Sequence, residues 1–236
     1  MDDRPSRSQH GMRRRAPSLC VAVVIGIALS GAFPGVARAN DWENIVERDG
    51  IVVSRRFVEG RDFPQLRSAG EVPGTPYEVL AILLDVPAYP KWLPDCVESE
   101  TVRMLDTWRS IIYTKTNVPW PVSDREVVVE NAVTFIDPPS RVKMTFTAIT
   151  APDVERRRGT VRMELANGSY TIEAIDAARS LVHYEIDADP AGTLPSWLIS
   201  IQSTRNPFET IAGLRRRLDE TRGQYHAQIA RFPSPT

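Results

Sequence analysis

Apolar positions change their period along this chain, and the changes mark its elements. Val79, Leu80, Ile82 and Leu83 form one stripe at helical spacing. Thr75-Pro76-Tyr77-Glu78 supplies the start signals ahead of that stripe: a Thr to cap, a Pro at the first helical position and a Glu to close a capping box. The spacing predicts a helix through about Leu84. Pro87, Pro90 and Pro94 then break regularity around Tyr89 and Trp92. From there to about Ala188 the period falls to two, the mark of antiparallel strands joined by turns. Val142, Met144, Phe146 and Ala148 alternate with Arg141, Lys143 and Thr145, and Val161, Met163 and Leu165 alternate with Arg162 and Glu164. Tyr170/Ile172/Ala174 and Val182/Tyr184/Ile186/Ala188 repeat the pattern, and Asn167-Gly168 predicts a tight hairpin. Helical spacing returns in Phe208, Ile211, Leu214, Leu218 and Tyr225, after the cap-like Asn206-Pro207-Phe208-Glu209, and predicts a helix to about Ile229.

The region before Thr75 predicts a short helix opening at Asp41-Trp42-Glu43 and ending at Asp49-Gly50, then strands over Ile51 to Arg56 and Gln65 to Val72. Each strand has one oily face, and the C-terminal amphipathic helix is the element able to cover it. The fold class expected is α+β: a helix-grip, in which a curved antiparallel sheet wraps around a long C-terminal helix.

The first 39 residues read as a cleaved leader rather than as part of the fold. Arg13, Arg14 and Arg15 precede an apolar run from Leu19 to Leu29 and the small-residue Ala37-Arg38-Ala39. The run is shorter than the ~20 residues that span a bilayer. A Sec-type signal peptide cleaved after Ala39 is therefore expected, with Met12 an alternative start and a periplasmic or secreted destination. Cys20 lies near the start of the apolar run, the wrong place for a lipoprotein anchor.

Residues 40–236 then form one domain with no repeat or long linker. The leader holds six of the 29 Lys/Arg and two of the 30 Asp/Glu, so the remainder has 23 against 28 and a net charge of −5. That balance argues against nucleic-acid binding and against strong charge-driven attraction to an anionic membrane. Cys96 is the sole cysteine outside the leader, so no internal disulfide can form; a buried, inert thiol is expected there.

Catalytic motifs are missing from the sequence. HExxH, CxxC, GxSxG and phosphate-cradling glycine loops do not occur, and His183 and His226 lack metal-ligand spacing. His183 is expected on the solvent side of its strand. Glu164 and Glu173 have no second carboxylate to share acid/base work with. Asp124 and Arg125 are expected to pair and orient their segment. Arg156-Arg157-Arg158 and Arg215-Arg216-Arg217 read as solvated faces or as lipid-phosphate contacts. Trp120, between two prolines, reads either as a packed turn anchor or as a contact with a cavity or membrane interface.

The order of elements and four strings resemble the START domain, the steroidogenic acute regulatory protein-related lipid-transfer family, and its secreted bacterial branch most. The strings are Val79 to Pro94 (VLAILLDVPAYPKWLP), Pro119 to Val129 (PWPVSDREVVV), Asn167-Gly168-Ser169-Tyr170, and Asp189 to Trp197 (DPAGTLPSW). Glu126 stands where many relatives have Asp, and Tyr170 where many have Trp. The resemblance implies a deep apolar cavity between the concave face of the sheet and the C-terminal helix. The candidate ligand-binding residues are Tyr113, Trp120, Met144, Phe146, Met163, Tyr184, Ile186, Ile211, Leu214 and Leu218. Pattern alone serves a solid core equally well. Candidate lids are Ala151-Pro152-Asp153 and Asp189 to Pro195.

The function expected from the resemblance is non-enzymatic binding of a lipid or other hydrophobic small molecule, with or without its transfer, and with transient membrane contact and no cofactor or metal. The alternative is an enzyme resembling polyketide cyclases and aromatases, with Tyr113, Tyr184 or Arg109 orienting the substrate.

Overall fold

The computed structural model describes residues 41–234; the leader expected over residues 1–39 lies outside them. Ten strands form one sheet. In chain order these are β1 (Glu43–Arg48), β2 (Ile51–Arg56), β3 (Gln65–Pro73), β4 (Cys96–Met104), β5 (Arg109–Thr116), β6 (Asp124–Asp137), β7 (Arg141–Ala148), β8 (Thr160–Arg162), β9 (Leu165–Ala174) and β10 (Arg179–Asp189). The sheet runs β1-β2-β3-β10-β9-β7-β6-β5-β4, with β8 pairing to β6. Every pairing is antiparallel except that of β8 with β6. Among the described residues three helices complete the fold: α1 (Pro76–Leu84), α2 (Ser196–Glu220) and α3 (His226–Ile229), with a 3-10 turn over Val86–Lys91. α2 lies along β2 and β3 and meets β10 and α1, while α1 packs on β7 and β9. The architecture is the α+β helix-grip that the patterning predicts.

Local signals account for α1. Thr75 accepts from the Glu78 N–H at 3.3 Å, and the Glu78 carboxylate accepts from the Thr75 N–H at 2.8 Å, so two otherwise orphaned donors are satisfied reciprocally. Its stripe joins the main core with Ile51, Val53, Val142, Ile172, Val182, Ile211 and Leu214.

Three local expectations are corrected. No helix opens at Asp41: Glu43–Arg48 is β1, folded onto β2 by the two-residue turn Asp49-Gly50. Both turn residues have positive φ, 52° and 66°, the conformation of a tight hairpin that Asp-Gly favours. Asn167-Gly168, by contrast, makes no hairpin and lies inside β9. A Cβ at Gly168 would run into the Glu185 carbonyl oxygen and the Phe146 ring, so the glycine is there for close approach. The predicted strand through Val161, Met163 and Leu165 is broken: β8 ends at Arg162 and β9 begins at Leu165.

The last helix also departs from its sequence signals. α2 starts ten residues before Asn206, with Pro207 inside it, and ends at Glu220. Gly223 then adopts a positive φ of 78°, and α3 follows as a separate turn. The early start is a tertiary effect, because the first half of α2 buries Leu198 and Ser203 against the sheet side of the molecule.

The outer face of the sheet is covered too. Ile111, Tyr113 and Val128 form a second cluster beneath Val102, Ile149, Ala151 and Val154. The Ala151-Pro152-Asp153 segment is therefore a cover for the convex side and not a lid over the concave one.

Candidate functional site

Strand alternation and sheet curvature determine which side chains face inward. Register carries the inner face across neighbouring strands: Val133, Met144, Tyr170, Tyr184 and Ser68 stand in one row of cross-strand partners, and Asn131, Phe146, Gly168, Ile186 and Leu66 in the next. The following row includes Ala166 opposite Ala188. Glycine and alanine at these positions leave the concave face shallow where larger side chains would close it.

The result is a cavity of about 290 Å³. A single water needs roughly 10–15 Å³ on such a measure, so this space exceeds a few waters many times over. Its walls include Ile112, Val127, Val129, Met144, Phe146 and Ile186, with Ala166 and Ala188 beneath the space. The roof is the first half of α2, through Leu198, Ile199, Gln202, Ser203 and Asn206, which recur at helical spacing on one face. The β10–α2 connection contributes Pro190 and Leu194 at the rim.

Aromatic rings line one side. Tyr170 and Tyr184 stack with centroids 4.8 Å apart, and Phe146 lies 6.4 Å from Tyr184 at the same 26° interplanar angle. Tyr89 donates to the Leu83 carbonyl at 2.6 Å. Burial raises the Tyr89, Tyr170 and Tyr184 hydroxyls well above the ordinary tyrosine range, so all three stay neutral at physiological pH.

Polar groups are few. Asn131 is 3 % exposed. Its Oδ1 and the Gln202 Oε1 are buried without hydrogen-bond partners among the described residues. Arg125 is the one charged residue in the lining among the described residues and is 5 % exposed. It does not pair with Asp124, as the sequence suggested. Asp124 instead pairs with Lys115 at 3.1 Å and accepts from the Val118 N–H. The Arg125 guanidinium donates to the carbonyls of Ser123, Pro190 and Ala191 at 2.6, 3.0 and 3.0 Å. Burial lowers its pKa. Arg125 thus ties the start of β6 to the Asp189–Pro195 connection, where Ala191 and Gly192 both have positive φ.

The ten candidate residues divide into two groups. Met144, Phe146, Met163, Tyr184 and Ile186 line the cavity. The other five do not. Tyr113 points to the outer face, where its hydroxyl donates to the Glu126 carboxylate at 3.0 Å. Trp120 is 91 % exposed and forms no part of the wall. Ile211, Leu214 and Leu218 belong to the solid core beside α1. Arg109, the third polar group considered for an enzyme, is exposed and paired with Glu130 at 2.7 Å. Of Tyr113, Tyr184 and Arg109, only Tyr184 reaches the cavity.

Members of both arginine runs are anchored within the protein. Arg157 pairs with Glu98 and Glu100, and Arg215 donates to the carbonyls of Asp49 and Glu71. Cys96 is buried as expected, and burial pushes its thiol up to about 11.

Sequence reasoning missed the roof residues Leu198, Ile199, Gln202 and Ser203 and the polar lining residues Asn131 and Arg125. The roof carried a usable signal in its helical spacing, masked because the face mixes apolar and polar residues.

Comparison with known proteins matches this geometry. The START domain model matches residues 36–222. An uncharacterised protein of Pseudomonas aeruginosa is 26% identical over 200 residues, covering 84% of this chain and 94% of its own. Mouse phosphatidylcholine transfer protein is 24% identical over 163 residues, covering 68% and 75%. The crystal structure of a STAR-related lipid transfer protein fragment from Xanthomonas axonopodis superposes with a TM-score of 0.68 at 29% identity, over 75% of this chain and 98% of that one. With a family match across most of its length and a hollow beneath the helix, the chain belongs to the START domain family.

Proposed function

We propose that this protein binds a lipid or another hydrophobic small molecule in the cavity under α2 and carries it between membranes without altering it. The observation that carries this reading is the 290 Å³ space with a largely apolar wall. Solid START-like packing would have left no such room. Family membership supports it, as do relatives named for lipid transfer.

Energetics favour carriage over storage. Burying a chain of about fifteen methylenes at ~0.8 kcal/mol each gives roughly 12 kcal/mol of gross transfer energy from water, and a bilayer offers nearly the same. Exchange is therefore close to balanced, and a carrier need only shelter the guest while it crosses water. The Asp189–Pro195 connection, latched by Arg125, is the segment placed to open. Trp120, on the β5–β6 loop that Arg125 ties through Ser123, and Trp197, on the first turn of α2 just after the connection that Arg125 ties through Pro190 and Ala191, both stand exposed. We assign membrane contact to both.

The leader pattern at Arg13–Arg15 and Leu19–Leu29 supports export, so the carrier would work in the periplasm or outside the cell. No cofactor, metal or nucleic acid enters this reading.

The test is extraction of the purified protein with organic solvent and mass spectrometry of what comes out. A lipid recovered unchanged, in amounts approaching the protein, is the expected result. A cavity that neither co-purifies with nor takes up any hydrophobic guest would overturn the reading. Chemical conversion of a supplied polyketide-like substrate would replace it with an enzymatic one.

A further inference from the structure

The inward row of β6 orders the cavity wall. Residues 125, 127, 129 and 131 alternate inward as Arg, Val, Val, Asn, and all four line the cavity. At ~3.3 Å per residue the Arg125 and Asn131 Cα atoms are about 20 Å apart along the strand. The wall thus presents a cation at one end, an apolar stretch between, and an amide at the other.

Each pole lacks something. Arg125 is buried, yet the carboxylates that flank it in sequence are spent elsewhere: Asp124 on Lys115 at 3.1 Å and Glu126 on Arg162 at 2.8 Å. It makes no salt bridge with any described residue and donates only to backbone carbonyls. A guanidinium carries five N–H donors. Three are committed, and two remain. Asn131 is buried, and its Oδ1 has no partner among the described residues. A buried cation without a counter-ion and a buried acceptor without a donor are each unfavourable unless something else completes them.

We propose that the guest is a single amphiphile with an anionic head, carboxylate or phosphate, held at Arg125, and with a hydroxyl further along its skeleton donating to Asn131. This rests on the lipid-binding reading above and narrows it. The apolar skeleton lies along Val127 and Val129. The cavity volume, at the low end of the ~300–1,000 Å³ usual for small-molecule pockets, suits one chain or a compact ring system better than two acyl chains. Neutral tyrosines elsewhere in the wall leave Arg125 as the single charge for the head to find.

The test is calorimetric titration of the delipidated full protein with four matched probes: lauryl alcohol, lauric acid, lauryl phosphate and ω-hydroxylauric acid. Charged hydrogen bonds of this kind are expected to make the acid or the phosphate bind about tenfold to a hundredfold more tightly than the alcohol. Whichever of those two binds better identifies the head. The ω-hydroxy acid should gain a further several-fold over lauric acid. Arg125→Met should abolish the preference for the acid over the alcohol, read as the ratio of the two affinities in the same variant, and Asn131→Leu should abolish the gain from the hydroxyl. Equal binding of acid, phosphate and alcohol to the unmodified protein would overturn the inference, with no variant needed, and would leave the lipid-binding reading intact. So would a preference for the acid that survives Arg125→Met. Failure of all four probes to bind would overturn this inference, and with no lipid extracted from the purified protein it would overturn that broader reading as well.

Discussion

Ala166 and Ala188 face each other across β9 and β10, and the space above them stays open because neither side chain extends beyond a methyl group. Phe146 and Ile186 stand in the neighbouring row, so larger residues at the alanine positions would grow into the hollow and not into solvent.

Ala188→Leu is therefore expected to plug the cavity. The added methylenes would be buried in the cavity that Phe146 and Ile186 also line, at ~0.8 kcal/mol each, so thermal stability should hold or rise by up to about 2 kcal/mol. Uptake of hydrophobic guest should fall at least tenfold. The pair of measurements is a calorimetric melting scan and a guest titration; a stable variant with undiminished uptake would move the guest out of this cavity.

Leu214 reverses that expectation. It is fully buried with Ile211 and the α1 stripe, away from the cavity lining. Leu214→Ala should cost about 2–5 kcal/mol in chemical denaturation by leaving a void in a packed core. Guest affinity of the folded variant should stay within about twofold. A selective loss of affinity with stability retained would show that the helix stripe reaches the guest after all.

Those two positions show what the sequence could and could not reveal. The helix-grip follows from period changes, because a strand with one oily face must be covered and the C-terminal helix was the available cover. Inward against outward was harder. Tyr113 and Ile111 look as apolar as Ile112, yet they face a second cluster under Ile149 and Val154, a cover that no alternation pattern announces. Turn chemistry misled in both directions: Asp49-Gly50 is a hairpin where a helix end was expected, and Asn167-Gly168 lies within a strand. The glycine in the second case answers to Phe146 and Glu185, contacts distant in sequence. Likewise Asn206-Pro207 carries strong start signals, but burial of the preceding turns extends α2 through them.

Glu126 holds the outer cover in place and gives a pH signature. Its fully buried carboxylate accepts from Arg162 Nε at 2.8 Å, from the Arg157 N–H at 3.0 Å and from the Tyr113 hydroxyl at 3.0 Å. Burial pushes this carboxyl up, but the donated hydrogen bonds outweigh burial and hold it below its ordinary value of 4.5. A depressed folded-state pKa contributes stability that is fully present above the unfolded value and is lost as pH falls through the folded one. Unfolding free energy should therefore drop below about pH 4.5 in part through this group. Glu126→Ala strands Arg162, whose side chain is 9% exposed, and should cost about 3–5 kcal/mol at neutral pH. Urea titrations across this pH range are the check: the variant should lose the Glu126 share of the acid slope, and an unchanged slope would show that the carboxylate contributes nothing to acid unfolding.

Trp120 separates membrane contact from guest binding, because it is almost fully exposed and makes no part of the cavity wall. An indole in that position gives up little on folding and has much to gain at a lipid interface, where its ring is buried and its N–H stays wet. Trp120→Ala should leave the melting temperature and the affinity for a soluble guest unchanged while slowing guest transfer between vesicles several-fold. Adding Trp197→Ala, from the first turn of α2, should slow it further. Neutral phosphatidylcholine vesicles are the right acceptor, since the net charge of −5 expected for residues 40–236 gives no attraction to an anionic surface. Transfer rates that stay the same in both variants would remove these tryptophans from the docking face and leave the route between membrane and cavity to be sought at another edge of α2.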